Sequence, residues 1–95
     1  MKVRWTSRAE NDRAEIMDYI AEDNVRAAIA MDELFDATAA RLAEFPMLGQ
    51  PGRVVGTREL VPHESYPLVY EVNKTDDTVW VLALVHTARR WPPAQ

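Results

Sequence analysis

Cysteine is absent from this 95-residue sequence, which excludes a disulfide framework, thiolate metal ligands and a thiolate nucleophile. Histidine is nearly absent: His63 and His86 are the only two, and without cysteine beside them they do not make a zinc motif. No stretch of eighteen apolar residues occurs, so no membrane span is indicated, and Met1 to Ser7 has no apolar core of a secretion signal. A cytoplasmic protein is the expectation. Excess positive charge is also missing. Eleven Lys and Arg face fifteen Asp and Glu for a net charge of −4, and a chain that grips nucleic acid unaided needs clustered cations instead.

Glycine is scarce as well, and all three residues (Gly49, Gly52, Gly56) fall in one short window with Pro51. That window reads as a loop with a mobile backbone, following a helix that Pro46 ends. It has no Gly-Lys-Ser/Thr ending and no preceding strand, so it is not a phosphate-binding P-loop.

What the sequence does contain is one short, dense apolar run, Val79 to Val85, bounded by the polar turn Lys74–Asp77 and by His86, Arg89 and Arg90. A run so short and uniform reads as a strand covered on both faces, the central strand of a sheet. With 47% hydrophobic and 27% charged residues the composition is that of a globular protein, and its length suits one domain over residues 1–95.

Around that strand the other elements fall into order. Lys2 to Trp5 alternates and suits a short edge strand. Ser7 and Glu10 form a capping box that opens a helix to Glu22, with Ala9, Ile16, Tyr19 and Ile20 on one face. Asn24 caps a second, longer helix, whose seam of Ala28, Met31, Phe35, Thr38, Leu42 and Phe45 steps by three and four. The two should form an antiparallel hairpin. Arg58 to Val61 reads as a strand, as does Tyr66 to Asn73. In the latter, Tyr66, Leu68, Tyr70 and Val72 share the inner face, while Pro67 and Glu71 lie on the less buried one. The order is β-α-α-β-β-β, an α+β domain with helices on a largely antiparallel sheet.

Charge divides along the chain. The helical half holds most of the acids, whereas residues 78–95 carry Arg89 and Arg90 and no acid. His86, at a strand end, suits a general base, a hydrogen-bonded core imidazole or a partner contact. Arg89 and Arg90 suit phosphate or carboxylate binding, or solvation of the strand exit. Arg58 has the same ambiguity, with an ion pair to Glu59 or Glu64 as its plain structural alternative. Ser65 and His86 do not make a hydrolase site, because no Gly-x-Ser-x-Gly elbow presents the serine.

Three segments together, Gly56-Thr57-Arg58-Glu59-Leu60, Tyr66-Pro67-Leu68-Val69-Tyr70-Glu71-Val72 and Val81 to Trp91, resemble the RelE/ParE superfamily of bacterial type II toxin–antitoxin toxins. The spacing from Pro46 to Gly49, the element order and the length agree. The resemblance implies a toxin neutralised by a cognate antitoxin, with no cofactor or metal, and contact with operator DNA only through the antitoxin. It also implies one of two mechanisms: messenger RNA cleavage on the ribosome, as in RelE-like members, or poisoning of DNA gyrase, as in ParE-like members. In a nuclease, Arg58, His86, Arg89 and Arg90 are the candidate catalytic groups. Contacts to antitoxin or target fall on Arg53, Arg58, Arg89, Arg90 and Trp91. Pro67 and Ala88 stand where RelE-like toxins carry arginines, which favours the gyrase reading. The ribosome-dependent endoribonuclease is second, and a non-toxic interaction domain third.

Overall fold

The structure, a computed structural model, describes residues 1–63 and 65–86. Its elements are β1 (Lys2–Trp5), α1 (Ser7–Ala21), α2 (Val25–Glu44), β2 (Gln50–Pro51), β3 (Arg58–Leu60), β4 (Leu68–Asn73) and β5 (Thr78–Leu84). They form one sheet of order β1-β5-β4-β3-β2 with two helices. β1 runs parallel to β5 and the other pairs are antiparallel. The expected α+β order holds, with one addition. Gln50–Pro51 pairs with Arg58 and Glu59 where a loop was expected, because the Gly52 amide reaches the Thr57 carbonyl at 2.8 Å and folds the segment back on itself.

The apolar run does become β5, flanked by β1 and β4, but the middle strand is β4. Covering of β5 is also incomplete, since Trp80 and Leu82 are only half-buried. Leu82 is an inserted residue: the β4 register passes from Val69↔Ala83 to Tyr70↔Val81 and leaves it unpaired. This bulge changes the parity of the strand. Val79 and Val81 face the core before it and Leu84 after it. The Leu84 amide, which points away from β4, donates to the Asp12 carboxylate of α1 at 3.1 Å, so the strand end is tied to the helix layer.

Thr6, not Ser7, caps α1. Its hydroxyl accepts from the Ala9 amide at 3.1 Å and donates to the Leu82 carbonyl at 3.1 Å. Its own amide is the last rung on β5, donating to Val81 at 3.0 Å. Residue 6 is therefore still strand on one side and cap on the other, which leaves Ser7 as the first helical residue. Asn24 caps α2 as expected, its side chain accepting from Ala27 at 3.0 Å. Arg13 of α1 joins the two helices through the carboxylates of Asp32 and Asp36, and its guanidinium lies 4.9 Å from the centre of the Trp5 ring. The hydrogen bond to Asp32, more than any other contact, raises its pKa above the ordinary arginine value.

The core gathers Ala9, Ile16, Phe35, Leu42, Tyr66, Leu68, Tyr70, Val79, Val81 and Leu84. Each fully buried aliphatic or aromatic side chain there contributes about 1.5–3 kcal/mol by leaving water. Three expectations about this core require correction. Phe45 is 57% exposed, because it follows the last helical residue with φ −126° and ψ 71°, which turns it off the seam. Tyr19 is also 57% exposed and leans out of the α1 stripe towards His86. Pro67 is buried, as is Val69 beside it, so only Glu71 makes the outer face of β4 open as expected.

Candidate functional site

Two places in the fold hold the side chains singled out by sequence. The first is the junction of β3 with the loop after α2. Arg58 begins β3 opposite Tyr70, on the face that carries Leu68 and Val72 into the core. Its Nε and Nη2 donate to the Gly49 carbonyl at 3.1 and 2.8 Å, and Nη2 reaches the Met47 carbonyl at 3.3 Å. The Gly49 amide donates to the Tyr70 hydroxyl at 2.8 Å inside the core. Gly49 is thus held through both of its backbone polar groups, the amide by a fully buried phenol and the carbonyl by a guanidinium. Glycine is required at this place, for a Cβ there would stand 2.7 Å from the Glu59 carbonyl and 2.9 Å from the Tyr70 ring. Arg58 is consequently a clamp on carbonyl oxygens and makes no ion pair with Glu59; Glu64, the other expected partner, lies outside the described residues.

Arg53 lies on the exposed stretch after β2. Its backbone amide donates to the Glu59 carboxylate at 2.9 Å, which fixes the turn that Gly56 completes with φ +86°. Two cavities flank this segment and share Pro51 as a wall. One, of about 490 Å³, is lined by Leu48, Arg53, Leu60 and Val61 among others. The other, of about 250 Å³, is lined by Met47, Arg58, Val72 and Lys74 among others.

The second place is the far end of β4 and β5. The Val85 amide donates to the Pro67 carbonyl at 2.8 Å, which sets half-buried His86 beside Tyr66. The two rings are 5.3 Å apart, and His86 also packs on Tyr19 at 4.9 Å. The histidines are closer than a strand pair between them suggests, because the His63 ring lies 5.8 Å from the same Tyr66 ring. His63 Nδ1 accepts the Ser65 amide at 3.2 Å, so in the neutral ring the proton is on Nε2. Tyr66 stands edge-on to Phe35 at 6.1 Å. Its phenol pKa is raised, first by burial and second by the neighbouring Tyr19 hydroxyl, which keeps it a neutral hydrogen-bonding group at physiological pH.

Arg58 and His86 are not brought together. Arg58 is registered with Tyr70 and His86 stacks on Tyr66, four residues earlier in the same chain segment, roughly 13 Å at strand spacing. A single phosphodiester does not span that distance. Arg89, Arg90 and Trp91 lie outside the described residues, and among the described residues no cluster of His and acids is placed to hold a metal. Tyr66 and Tyr19 were not singled out as site residues by sequence. The only sign of Tyr66 was its place on the inner face, which says core and not cluster.

The model of a family described as the ParE toxin of the type II toxin–antitoxin system parDE matches residues 3–91. This chain belongs to the ParE toxin family. "Putative toxin Y4kP" of Sinorhizobium fredii is 35% identical to this chain over 92 residues, which cover 96% of this chain and 93% of that protein. The toxin–antitoxin complex RelBE2 of Mycobacterium tuberculosis contains a chain that is 26% identical and superposes with a TM-score of 0.63, over 90% of this chain and 95% of that one. A chain of the chromosomal ParDE system of P. aeruginosa shares the fold more fully, with a TM-score of 0.77 at 20% identity over 90% and 95% of the two chains. As a ParE-family member the chain is a toxin of a type II toxin–antitoxin system, and both the clamp on Gly49 and the Tyr66 cluster lie within the matched span.

Proposed function

We propose that this toxin arrests bacterial growth in the cytoplasm by poisoning DNA gyrase, without catalytic residues of its own, and that a cognate antitoxin holds it inactive until released. The observation that carries this reading is the commitment of Arg58. RNA cleavage by attack of a 2′-hydroxyl builds negative charge on the phosphate, and catalysis requires donors aimed at that charge. Arg58 instead gives its Nε and Nη2 donors to the Gly49 and Met47 carbonyls. Pro67 and Ala88 supply no cation where RelE-like toxins carry them. The net charge of −4 likewise opposes unaided docking on an RNA-rich surface.

A ribosome-dependent endoribonuclease is the second reading, and the Tyr66 cluster favours it. Two imidazoles and two phenols at a strand end are groups able to move protons. The test is a pair of assays with purified toxin: supercoiling by gyrase, and integrity of messenger RNA in a reconstituted translation system. Inhibited supercoiling with intact message is the expected result. Ribosome-dependent cuts that vanish in His86→Ala, with gyrase untouched, would replace the first reading by the second.

A further inference from the structure

The turn between β2 and β3 breaks the composition rule for its kind. Sharp turns favour Gly, Asn, Asp, Ser or Pro, which either tolerate the backbone or bond back to it. Over positions 53–56 only Gly56 conforms, while Val54 and Val55 are β-branched residues suited to strands. The fold gives Val55 nothing in return. It is 99% exposed, whereas the other exposed large apolar residues among the described ones lie between 37 and 61%. Apolar residues scattered over a surface are ordinary, but those others still rest partly on their neighbours. Val55 stands clear of the toxin altogether.

The knob is also held in place. The Gly52 amide donates to the Thr57 carbonyl at 2.8 Å, and the Thr57 amide and hydroxyl both donate to the Val54 carbonyl, at 3.1 and 2.6 Å. On the entry side the Arg53 amide is fixed by the Glu59 carboxylate at 2.9 Å. Both flanks of Val55 are therefore set before any partner arrives, so a contact at the tip costs little ordering entropy. A local rule broken where the fold does not use the residue points to a use outside the fold.

The shape of the contact selects the partner. A lone convex side chain leaves water only by entering a concavity, and preformed apolar concavities belong to folded proteins. A segment that orders as it binds, the form expected of an antitoxin, fills grooves and brings no pocket with it. We propose that Val55 is an anchor by which the toxin engages its target enzyme, seated in an apolar pocket on a gyrase subunit. This rests on the gyrase reading above and adds to it the toxin residue that makes the contact.

Two variants test it in a supercoiling assay with purified gyrase and the full-length toxin. Val55→Thr keeps the β-branched shape and the backbone preference and alters only polarity, whereas Val55→Asp sets a charge in the same pocket. Both should melt with the wild type, because a side chain 99% exposed has no contact in the fold to lose. Burying a valine strengthens binding by about tenfold or more. Half-inhibition should accordingly need about tenfold more Val55→Asp than wild type, with Val55→Thr in between. Equal inhibition by all three proteins overturns the proposal and leaves the gyrase reading standing. A wild-type toxin without effect on supercoiling overturns both. Inhibition lost only together with a lowered melting temperature would make Val55 a structural residue, which overturns the proposal. Weaker capture by the product of the adjacent gene, with gyrase inhibition unchanged, would give the tip to the antitoxin. Self-association of the free toxin that Val55→Asp abolishes would give it to a second copy of this chain, and either result also overturns the proposal.

Discussion

Replacing Arg58 by alanine separates a structural guanidinium from a functional one. In the wild type, Arg58 makes three contacts to two carbonyl oxygens, the shortest 2.8 Å to Gly49. Hydrogen bonds from a charged donor contribute about 1.5–3 kcal/mol, and leaving an acceptor unpaired costs a comparable amount. Arg58 is half-buried, so water repairs part of the loss, and a net destabilisation of about 1.5–3 kcal/mol is expected for the whole set. For a domain of this size each kcal/mol moves the melting temperature by about 4–8 °C, which places the variant roughly 6–24 °C below wild type. Arg58→Lys should recover only part of this, because a single ammonium does not reproduce the planar fork that reaches both Gly49 and Met47. The assay is a urea or thermal melt, run beside gyrase inhibition measured per folded molecule. A clamp predicts lower stability with inhibition preserved. Unchanged stability together with lost toxicity would refute the reasoning and return Arg58 to the working surface.

Tyr70→Phe leaves the buried Gly49 amide without an acceptor and should cost about 1–3 kcal/mol, read from the denaturant midpoint; a midpoint equal to wild type would mean that the amide finds another partner. Tyr66 gives a pH signature. Its folded pKa lies above the ordinary phenol value near 10, so the unfolded chain loses the proton first, and stability is unaffected below about pH 10 and falls as pH rises past it. Thermal melts between pH 9 and 11 should show a shallower alkaline decline in Tyr66→Phe, and identical slopes would count against the burial argument.

Much of this architecture was legible because its signals are local. Asn24 announces a helix start by side-chain chemistry, Pro46 announces an end, and the run from Val79 tolerates little except a strand. The misplaced details all depend on long-range partners. Thr6 caps α1 only because β5 holds its amide, 75 residues along the chain at Val81. Bulging at Leu82 is invisible in an unbroken apolar run and appears only when β4 supplies the register. The site divides in the same way. Arg58 was found by its spacing in a family pattern, but its commitment to the Gly49 carbonyl depends on a loop path that residue types do not report. Tyr66 lay hidden among core positions, since nothing local says that two histidines from different segments will meet on its ring.

The parallel pairing of β1 with β5 also orders events during synthesis. Lys2 waits for Thr78, and closing so long a loop carries an entropy cost that grows with the logarithm of its length. At bacterial elongation rates of about 5–20 residues per second, Leu84 leaves the peptidyl-transferase centre roughly 4–17 s after initiation. Until β5 is made, the apolar faces of Ile16, Phe35 and Leu42 lack the strand that covers them in the finished molecule. A nascent chain stopped anywhere before β5 has neither its first strand paired nor its helix cap anchored. The polypeptide therefore acquires its folded surface, and with it any capacity to harm the cell that makes it, only once β5, the last strand among the described residues, is in place.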